Sequence, residues 1–111
     1  MNDYLGEFEQ ILLFALLELG DEAYGGAIRQ AIEERTGRVA SSGAIYTAMA
    51  RLADRRFVSA RIGQPVPGRA GRPRKYYSLE PAGARALRRS YATIQAMAGG
   101  LAGKLDDAAE G

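Results

Sequence analysis

The sequence of 111 residues contains no cysteine, no histidine and no tryptophan. The lack of cysteine excludes disulfide bonds, thiolate metal sites and cysteine nucleophiles. The lack of histidine removes the commonest general base, the usual serine–histidine pair and most zinc or iron sites. No close pair of acidic residues lies in a glycine-rich setting, so no acid–base constellation remains. We expect a binding protein that is not an enzyme and uses neither a metal nor a cofactor.

The sequence also lacks the run of about 18 apolar residues that a membrane-spanning helix requires. Its first residues are acidic, whereas a secretory signal peptide begins with basic residues. With 47% apolar and 25% charged residues, the chain is too apolar to be disordered, and its length suits one compact domain. We therefore expect a domain that acts in the cytoplasm and makes no membrane contact.

The net charge of +2 conceals a strong partition of charge along the chain. Residues 1–34 contain one basic and eight acidic side chains, for a net charge of −7. Residues 35–89 contain thirteen basic and two acidic side chains, a net charge of +11, and residues 90–111 carry −2. Twelve of the thirteen basic residues are arginine, whose planar guanidinium suits phosphate groups and guanine edges. Such a basic block predicts a surface that binds a polyanion.

Hydrophobic periodicity predicts three helices in the first half of the chain. Residues 5–19 are apolar over more than one face, which favours packing on the domain's own core and on a second copy of the chain. A second helix is predicted over 24–35, and a third begins after Ser41 and Ser42, either of which can cap it. The third helix has one apolar face, formed by Ile45, Ala48, Met49 and Leu52.

A β-hairpin and a long helix are predicted in the second half. Residues 57–62 alternate as in a strand, and residues 74–79 contain the tyrosines and alternation of a returning strand. The glycine- and proline-rich segment 63–73 between them predicts an exposed basic loop. A final helix over 81–105 carries apolar residues spaced alternately by three and four, which is a heptad seam that favours a partner helix. The seam consists of Ala84, Leu87, Tyr91, Ile94, Ala98, Leu101 and Leu105.

This order of elements is that of a winged helix-turn-helix domain, in which the third helix enters the major groove of DNA. The predicted fold class is mainly α with a small β-hairpin: three helices and a wing, followed by a C-terminal dimerisation helix. We expect residues 1–80 to form the DNA-binding domain, with its first helix shared with the dimer interface. Residues 81–111 are expected to form the dimerisation helix.

Four stretches of the sequence resemble the PadR family of winged helix-turn-helix regulators, in the family's order and over roughly residues 5–95. Residues 16–28 (LLELGDEAYGGAI) resemble the family's leucine-rich helix and Tyr-Gly turn, and residues 42–52 (SGAIYTAMARL) resemble its recognition helix. Phe57 and Val58 stand at the family's short apolar pair. Residues 71–83 (GRPRKYYSLEPAG) resemble its wing and the junction that follows.

The resemblance implies a compact homodimeric transcriptional regulator, a repressor, that binds a two-fold operator in double-stranded DNA. The sequence departs from the family at Ser42, where the family has proline, and at Glu80, where threonine is frequent. It also lacks the tryptophans between which some compact members bind flat aromatic drugs. An apolar or aromatic effector that enters between the dimer helices is an implied partner, and the alternative is a filled dimer core. The candidate effector-binding residues are Phe8, Leu12, Ala15, Tyr91 and Ile94.

The predicted DNA-binding residues lie on the exposed side of the third helix and on the wing. Thr47 can offer a methyl or a hydroxyl to a base edge, and Arg51 can reach guanine or phosphate. The basic residues of the wing are expected to contact phosphates or the minor groove. Tyr46 and Tyr24 each either touch DNA or pack inside the domain. The full set is Ser42, Gly43, Tyr46, Thr47, Arg51, Arg69, Arg72, Arg74, Lys75 and Tyr24.

The dimer interface is predicted on the first and last helices, through Leu12, Leu16, Leu87, Tyr91, Ile94, Ala98, Leu101 and Leu105. Two other functions use the same features. A single-stranded nucleic-acid or RNA-binding module would combine the arginines with tyrosine stacking, but it has no use for a dimer seam. An adaptor that docks a protein partner on a winged-helix surface is disfavoured by the net charge of +11 over residues 35–89.

Overall fold

A computed structural model of the chain describes residues 4–65, 67–68 and 72–111. Within these ranges the chain forms five α-helices and one two-stranded antiparallel hairpin, in the predicted order. The elements are α1 (Glu7–Leu19), α2 (Gly25–Thr36), α3 (Ser42–Asp54), β1 (Val58–Pro65), β2 (Pro73–Leu79), α4 (Pro81–Ala98) and α5 (Ala102–Glu110). The chain is therefore mainly helical with a small hairpin, as the sequence predicts. No helix among the described residues is long and apolar enough to cross a membrane.

One hydrophobic core joins α1, α2, α3, the hairpin and the first turns of α4. Leu12 and Leu13 of α1 are fully buried, which explains why this helix is apolar on adjacent faces. The predicted apolar face of α3 is confirmed, because Ile45, Met49 and Leu52 are buried. The Ser41 hydroxyl caps α3 by accepting a hydrogen bond from the Ala44 amide at 3.0 Å.

The hairpin is attached to the helices through its second strand. Tyr76 pairs with Arg61 in the register of β1 and β2, and it also forms an isolated antiparallel bridge with Tyr24. The Tyr77 amide donates a hydrogen bond to the Ala23 carbonyl at 2.8 Å. The residues before α2 thus act as a short third partner of the hairpin and place the start of α2 beside β2.

The long final helix predicted over 81–105 is wrong, because the structure contains two helices there. Helix α4 ends at Ala98, and Gly100 has a φ of 76°, a left-handed conformation that side chains other than glycine rarely adopt. The Leu101 amide closes the turn by donating to the Ala98 carbonyl at 2.9 Å. The glycine pair therefore interrupts the heptad seam, and Leu105 belongs to α5.

The structure also corrects part of the predicted dimer interface. Leu12, Leu16 and Leu87 are buried in the core of the protomer, with 0%, 2% and 4% of their surface exposed, so they cannot contact a second chain. Their apolar character reflects their own core. The exposed members of the predicted set lie further along the chain, at Tyr91, Ile94, Ala98, Leu101 and Leu105.

Candidate nucleic-acid interface

One side of α3 is free of core contacts and faces outwards. Its apolar residues point into the core, so helical periodicity turns Ser42, Gly43, Thr47 and Arg51 to the surface, where all four are exposed. The two glycine and serine positions are in the first turn, where small side chains permit a close approach to another surface. The predicted reading face of α3 is therefore available in the folded protein.

Tyr46 lies at the edge of this face, between α3 and the hairpin. Its side chain is 60% exposed, and the Lys75 ammonium is 5.2 Å from the centre of its ring. Lys75 is also 6.0 Å from the ring centre of Tyr77, which is buried as the predicted core tyrosine of the second strand. Tyr46 thus does both things that the sequence left open: it contacts the base of the wing and remains accessible from outside.

Arg74 is fixed at the base of the wing by stacking. Its guanidinium carbon lies 4.0 Å from the ring centre of Tyr24, and the Tyr24 ring meets Tyr76 edge to face at 5.7 Å. On the other strand, the Arg61 guanidinium lies 4.5 Å from the ring centre of Tyr76. These contacts alternate cations with aromatic rings and tie β1 and β2 to the start of α2.

The predicted wing residues differ in how firmly the fold holds them. Arg74 is half-buried, whereas Arg72 and Lys75 are exposed. Arg69, a further predicted DNA contact, lies outside the described residues. The wing therefore combines a cation fixed against α2 with at least one cation that faces solvent.

A cleft of about 480 Å³ opens between the first turns of α2 and α3 and the base of β2. It gathers seven of the ten predicted DNA-binding residues, which are Tyr24, Ser42, Gly43, Tyr46, Thr47, Arg74 and Lys75. Two of these are cations, and no acidic side chain is among the described residues that line the cleft. The arrangement is a positively charged recess beside the outer face of α3.

The acidic N-terminal segment neutralises other arginines, away from this cleft. Glu18 accepts two hydrogen bonds from Arg35, at 3.0 and 2.8 Å, and this contact lowers the pKa of the Glu18 carboxyl. Arg38 pairs with Glu7 at 3.0 Å. Arg55 pairs with Glu9 at 3.5 Å. The predicted basic block is thus divided: its first arginines bind α1, and the cations of the wing and cleft remain available.

A family model described as "Transcriptional regulator PadR-like family" matches residues 13–89. The chain belongs to the PadR-like family of transcriptional regulators. The matched range runs from α1 into α4 and contains all the elements that build the cleft. Members of this family are transcriptional regulators and not enzymes, which confirms the prediction made from the missing catalytic residues.

Solved structures of PadR-like proteins share the fold of this family member. A transcriptional regulator from Clostridium thermocellum is 25% identical, with a TM-score of 0.68 over 81% of this chain and 84% of that chain. A PadR family regulator from Eggerthella lenta is 27% identical, with a TM-score of 0.65 over 89% and 85% of the two chains. Bacillus subtilis PadR, solved in complex with operator DNA, is 23% identical, with a TM-score of 0.64 over 76% of this chain and 47% of that chain. No curated protein sequence matches this chain.

The candidate effector site of this PadR-family chain is not assembled as predicted. Leu12 and Ala15 are buried in the core and Phe8 is half-buried against it, whereas Tyr91 and Ile94 are exposed on α4. An apolar cleft of about 530 Å³ lies instead between α1 and α2. Its lining includes Ile11, Phe14, Ala15, Leu17 and Ile32, so Ala15 is the predicted residue that it contains.

The sequence analysis missed Gly25, Gly26 and Tyr77 as lining residues of the charged cleft. Gly25 and Gly26 directly follow Tyr24, which was predicted, and they begin α2. Two glycines at the start of a helix are a recognisable signal for an exposed helix N-terminus that another group can approach closely. The pairing of Tyr24 with Tyr76 carried no sequence signal, because it depends on a long-range bridge.

Proposed function

We propose that this PadR-family regulator is a repressor that binds a two-fold-related operator in double-stranded DNA as a homodimer. The observation that carries the proposal is the exposed face of α3 next to a cleft that contains cations and no described acidic side chain. A helix with small residues in its first turn suits the major groove, and fixed cations at its side suit the adjoining phosphates.

The proposal assigns different roles to α3 and to the wing. Thr47 and Arg51 read base edges, because they lie on the exposed face of the helix that enters the groove. Arg72, Arg74 and Lys75 contact phosphates or the minor groove. Tyr46 contributes from the boundary, where its ring supports Lys75. In this scheme residues 1–80 form the DNA-binding domain.

The homodimer is proposed from apolar side chains that the protomer leaves exposed outside the DNA-binding face. On α4, Ile94 and Met97 are 60% and 71% exposed, and Leu105 on α5 is 69% exposed. Phe14 of α1 contacts Tyr91 of α4 edge to face at 5.6 Å, which makes the α1 and α4 surfaces continuous. Residues 81–111 thus serve as the dimerisation segment together with α1.

We further propose that an effector of this regulator is a small apolar or aromatic molecule bound beside α1. The support is the apolar cleft between α1 and α2, whose exposed walls include Phe14 and Leu17. A panel of aromatic cations tested by thermal shift examines this part of the proposal. Stabilisation that Leu17→Glu abolishes is expected, and the absence of any shift across the panel contradicts it.

The proposed function is tested by selecting genomic fragments on the purified protein and footprinting the recovered site. A footprint with two related half-sites, together with reduced transcription from a promoter that carries it, is the expected result. Recovery without sequence preference, or preferential recovery of single-stranded fragments, contradicts sequence-specific operator binding and favours the single-stranded alternative. Increased transcription contradicts the repressor role alone.

A further inference from the structure

We propose that the cleft between α2, α3 and β2 is a preformed site for one phosphate group, and that a backbone phosphodiester of bound DNA occupies it. The naming of DNA as the source rests on the proposed function. The existence of the phosphate site does not, because it follows from the geometry of the cleft. Arg74 then acts as a fixed anchor, distinct from the exposed cations of the wing.

The charge of the cleft is uncompensated. Arg74 and Lys75 line it, and among the residues that the structure describes neither forms a salt bridge. The arginines near α1 do have carboxylate partners, as in the pair between Arg35 and Glu18. Two cations in a concave site without an acidic neighbour favour the binding of an anion from outside.

Arg74 is held in place but lacks an acceptor. Its guanidinium stacks on Tyr24 at 4.0 Å, and its Nε atom is buried without a hydrogen-bond partner among the described residues. A buried N–H group without an acceptor is costly, and the guanidinium fork matches the oxygens of a phosphate. A phosphate in the cleft supplies the missing acceptor after a small rotation of the guanidinium about the stacked position.

The helices that border the cleft add to its preference for anions. Both α2 and α3 begin there, and the first amide groups of a helix have no partner within it and carry partial positive charge. On α3 the Ser41 hydroxyl takes one of these groups, the Ala44 amide. On α2 the side chain of Tyr24 caps none, so the amides at Gly25 and Gly26 face the site uncapped.

Space for a ligand is present at the two glycines in the first turns. A Cβ atom added at Gly25 or at Gly43 would meet no protein atom within 4 Å. Neither glycine is therefore required by packing inside the protein. A methyl group at Gly25 leaves the fold intact but occupies the space that a bound phosphate needs.

The first experiment compares Gly25→Ala with Gly103→Ala, which also adds a methyl in open space but lies on α5. Alanine favours helices over glycine, so both variants are expected to fold at least as well as the wild type. Binding of the full chain to a short duplex of random sequence is measured at low salt. Gly25→Ala is expected to weaken binding by about tenfold and Gly103→Ala to leave it unchanged. Equal affinity of Gly25→Ala and wild type overturns the proposal.

The second experiment follows the Nε–H signal of Arg74 and the amide signal of Gly25 by ¹H–¹⁵N NMR. Inorganic phosphate is titrated against chloride at equal ionic strength, and the same duplex is added in a separate arm. Saturable shifts of both signals with phosphate, lost in Arg74→Gln, are expected. Shifts with the duplex alone restrict the site to phosphodiesters and still support it.

The two proposals fail in different ways. Duplex binding without any shift at Arg74 or Gly25 overturns the phosphate site and leaves the regulator function standing. Saturable shifts with inorganic phosphate in a chain that does not bind duplex DNA overturn the proposed function and leave the phosphate site standing, with a free phosphate compound as its ligand. No shift with either probe overturns the site.

Discussion

The carbonyl oxygen of Phe57 would lie 2.2 Å from a Cβ atom placed on Gly83. The same oxygen accepts a hydrogen bond from the Glu80 amide at 2.9 Å, so the first turn of α4 is held directly against the backbone that enters β1. Only glycine permits this approach, because the obstructing atom belongs to the main chain. We expect Gly83→Ala to destabilise the fold by about 2 kcal/mol or more, measured by urea unfolding.

The matched control for this substitution is Gly103→Ala, where an added methyl meets no atom within 4 Å. It should keep or slightly raise the free energy of unfolding, since alanine is the better helix former by about 1 kcal/mol. A wild-type unfolding midpoint in Gly83→Ala would show that α4 shifts freely against Phe57, contrary to the contact described.

Arg56 is the described non-glycine residue with a positive φ, at 63°. A side chain in this left-handed conformation costs about 1–2 kcal/mol, whereas the greater freedom of glycine in the unfolded chain offsets part of that gain. Arg56→Gly is therefore expected to stabilise the protein by about 0.5–1 kcal/mol in urea unfolding. Arg56→Ala removes the same side chain but keeps the strain, so it should not stabilise. Equal stabilisation by both variants would assign the effect to charge.

The order of elements and the core were predictable from sequence because each rests on local periodicity. The face formed by Ile45, Met49 and Leu52 was read from helical spacing and is buried as expected. The break after Ala98 was missed because the heptad spacing runs on across Gly99 and Gly100, and the spacing was weighted above the low helix propensity of glycine.

The candidate site was only partly predictable, for a different reason. Its charges were visible in the sequence as a basic block, and seven of the ten predicted residues do line one cleft. The stacking of Arg74 on Tyr24 was not predictable, because it depends on the bridge that brings Tyr24 to Tyr76. Long-range pairing of this kind has no periodic signal. The same limit explains why Leu12 and Leu16 were assigned to a partner rather than to the protomer's core.

Tyr77 gives the fold a dependence on alkaline pH. Burial, and next the nearby charge of Tyr46, raise the pKa of Tyr77 above its usual value of 10.0. The unfolded chain loses this proton first, so the contribution to stability is full below about pH 10 and falls as the pH rises beyond it. Urea midpoints between about pH 9 and pH 11 should fall less steeply in Tyr77→Phe than in the wild type. Tyr46→Phe should have a smaller effect of the same sign, and parallel curves for all three proteins would contradict this account.

The proposed dimer is tested by charge placed on α4 and α5. Ile94 and Leu105 are 60% and 69% exposed in the protomer, so Ile94→Glu and Leu105→Glu leave its core unchanged. Light scattering should show a dimer for the wild type and a shift towards the monomer for the double variant, because a buried unpaired carboxylate opposes association. Gln30→Glu, an exposed change on α2, is the control and should remain dimeric. A monomeric wild type at micromolar concentration would contradict the dimer and the two-fold operator with it.

The separation between reading and anchoring is tested by the salt dependence of DNA binding. Arg72 is an exposed cation next to the wing tip, and each phosphate contact contributes a slope of roughly 0.9 in the logarithm of affinity against the logarithm of salt concentration. A dimer loses two such contacts, so Arg72→Ala should reduce the slope by up to about 2, equally on the operator and on random DNA. Thr47→Ala and Arg51→Ala should instead cost roughly 1–3 kcal/mol per lost base contact on the operator and much less on random DNA.

These three variants form an internally controlled set, because Thr47 and Arg51 are exposed on α3 while Arg72 is exposed outside it. Binding isotherms at several salt concentrations on both DNAs separate a change of slope from a change of sequence preference. Since α3 presents the outward face and the wing presents movable charge, preference should follow Thr47 and Arg51 and salt dependence should follow Arg72. Loss of sequence preference in Arg72→Ala, with preference intact in Thr47→Ala and Arg51→Ala, would mean that the wing reads the bases and that α3 serves as the anchor.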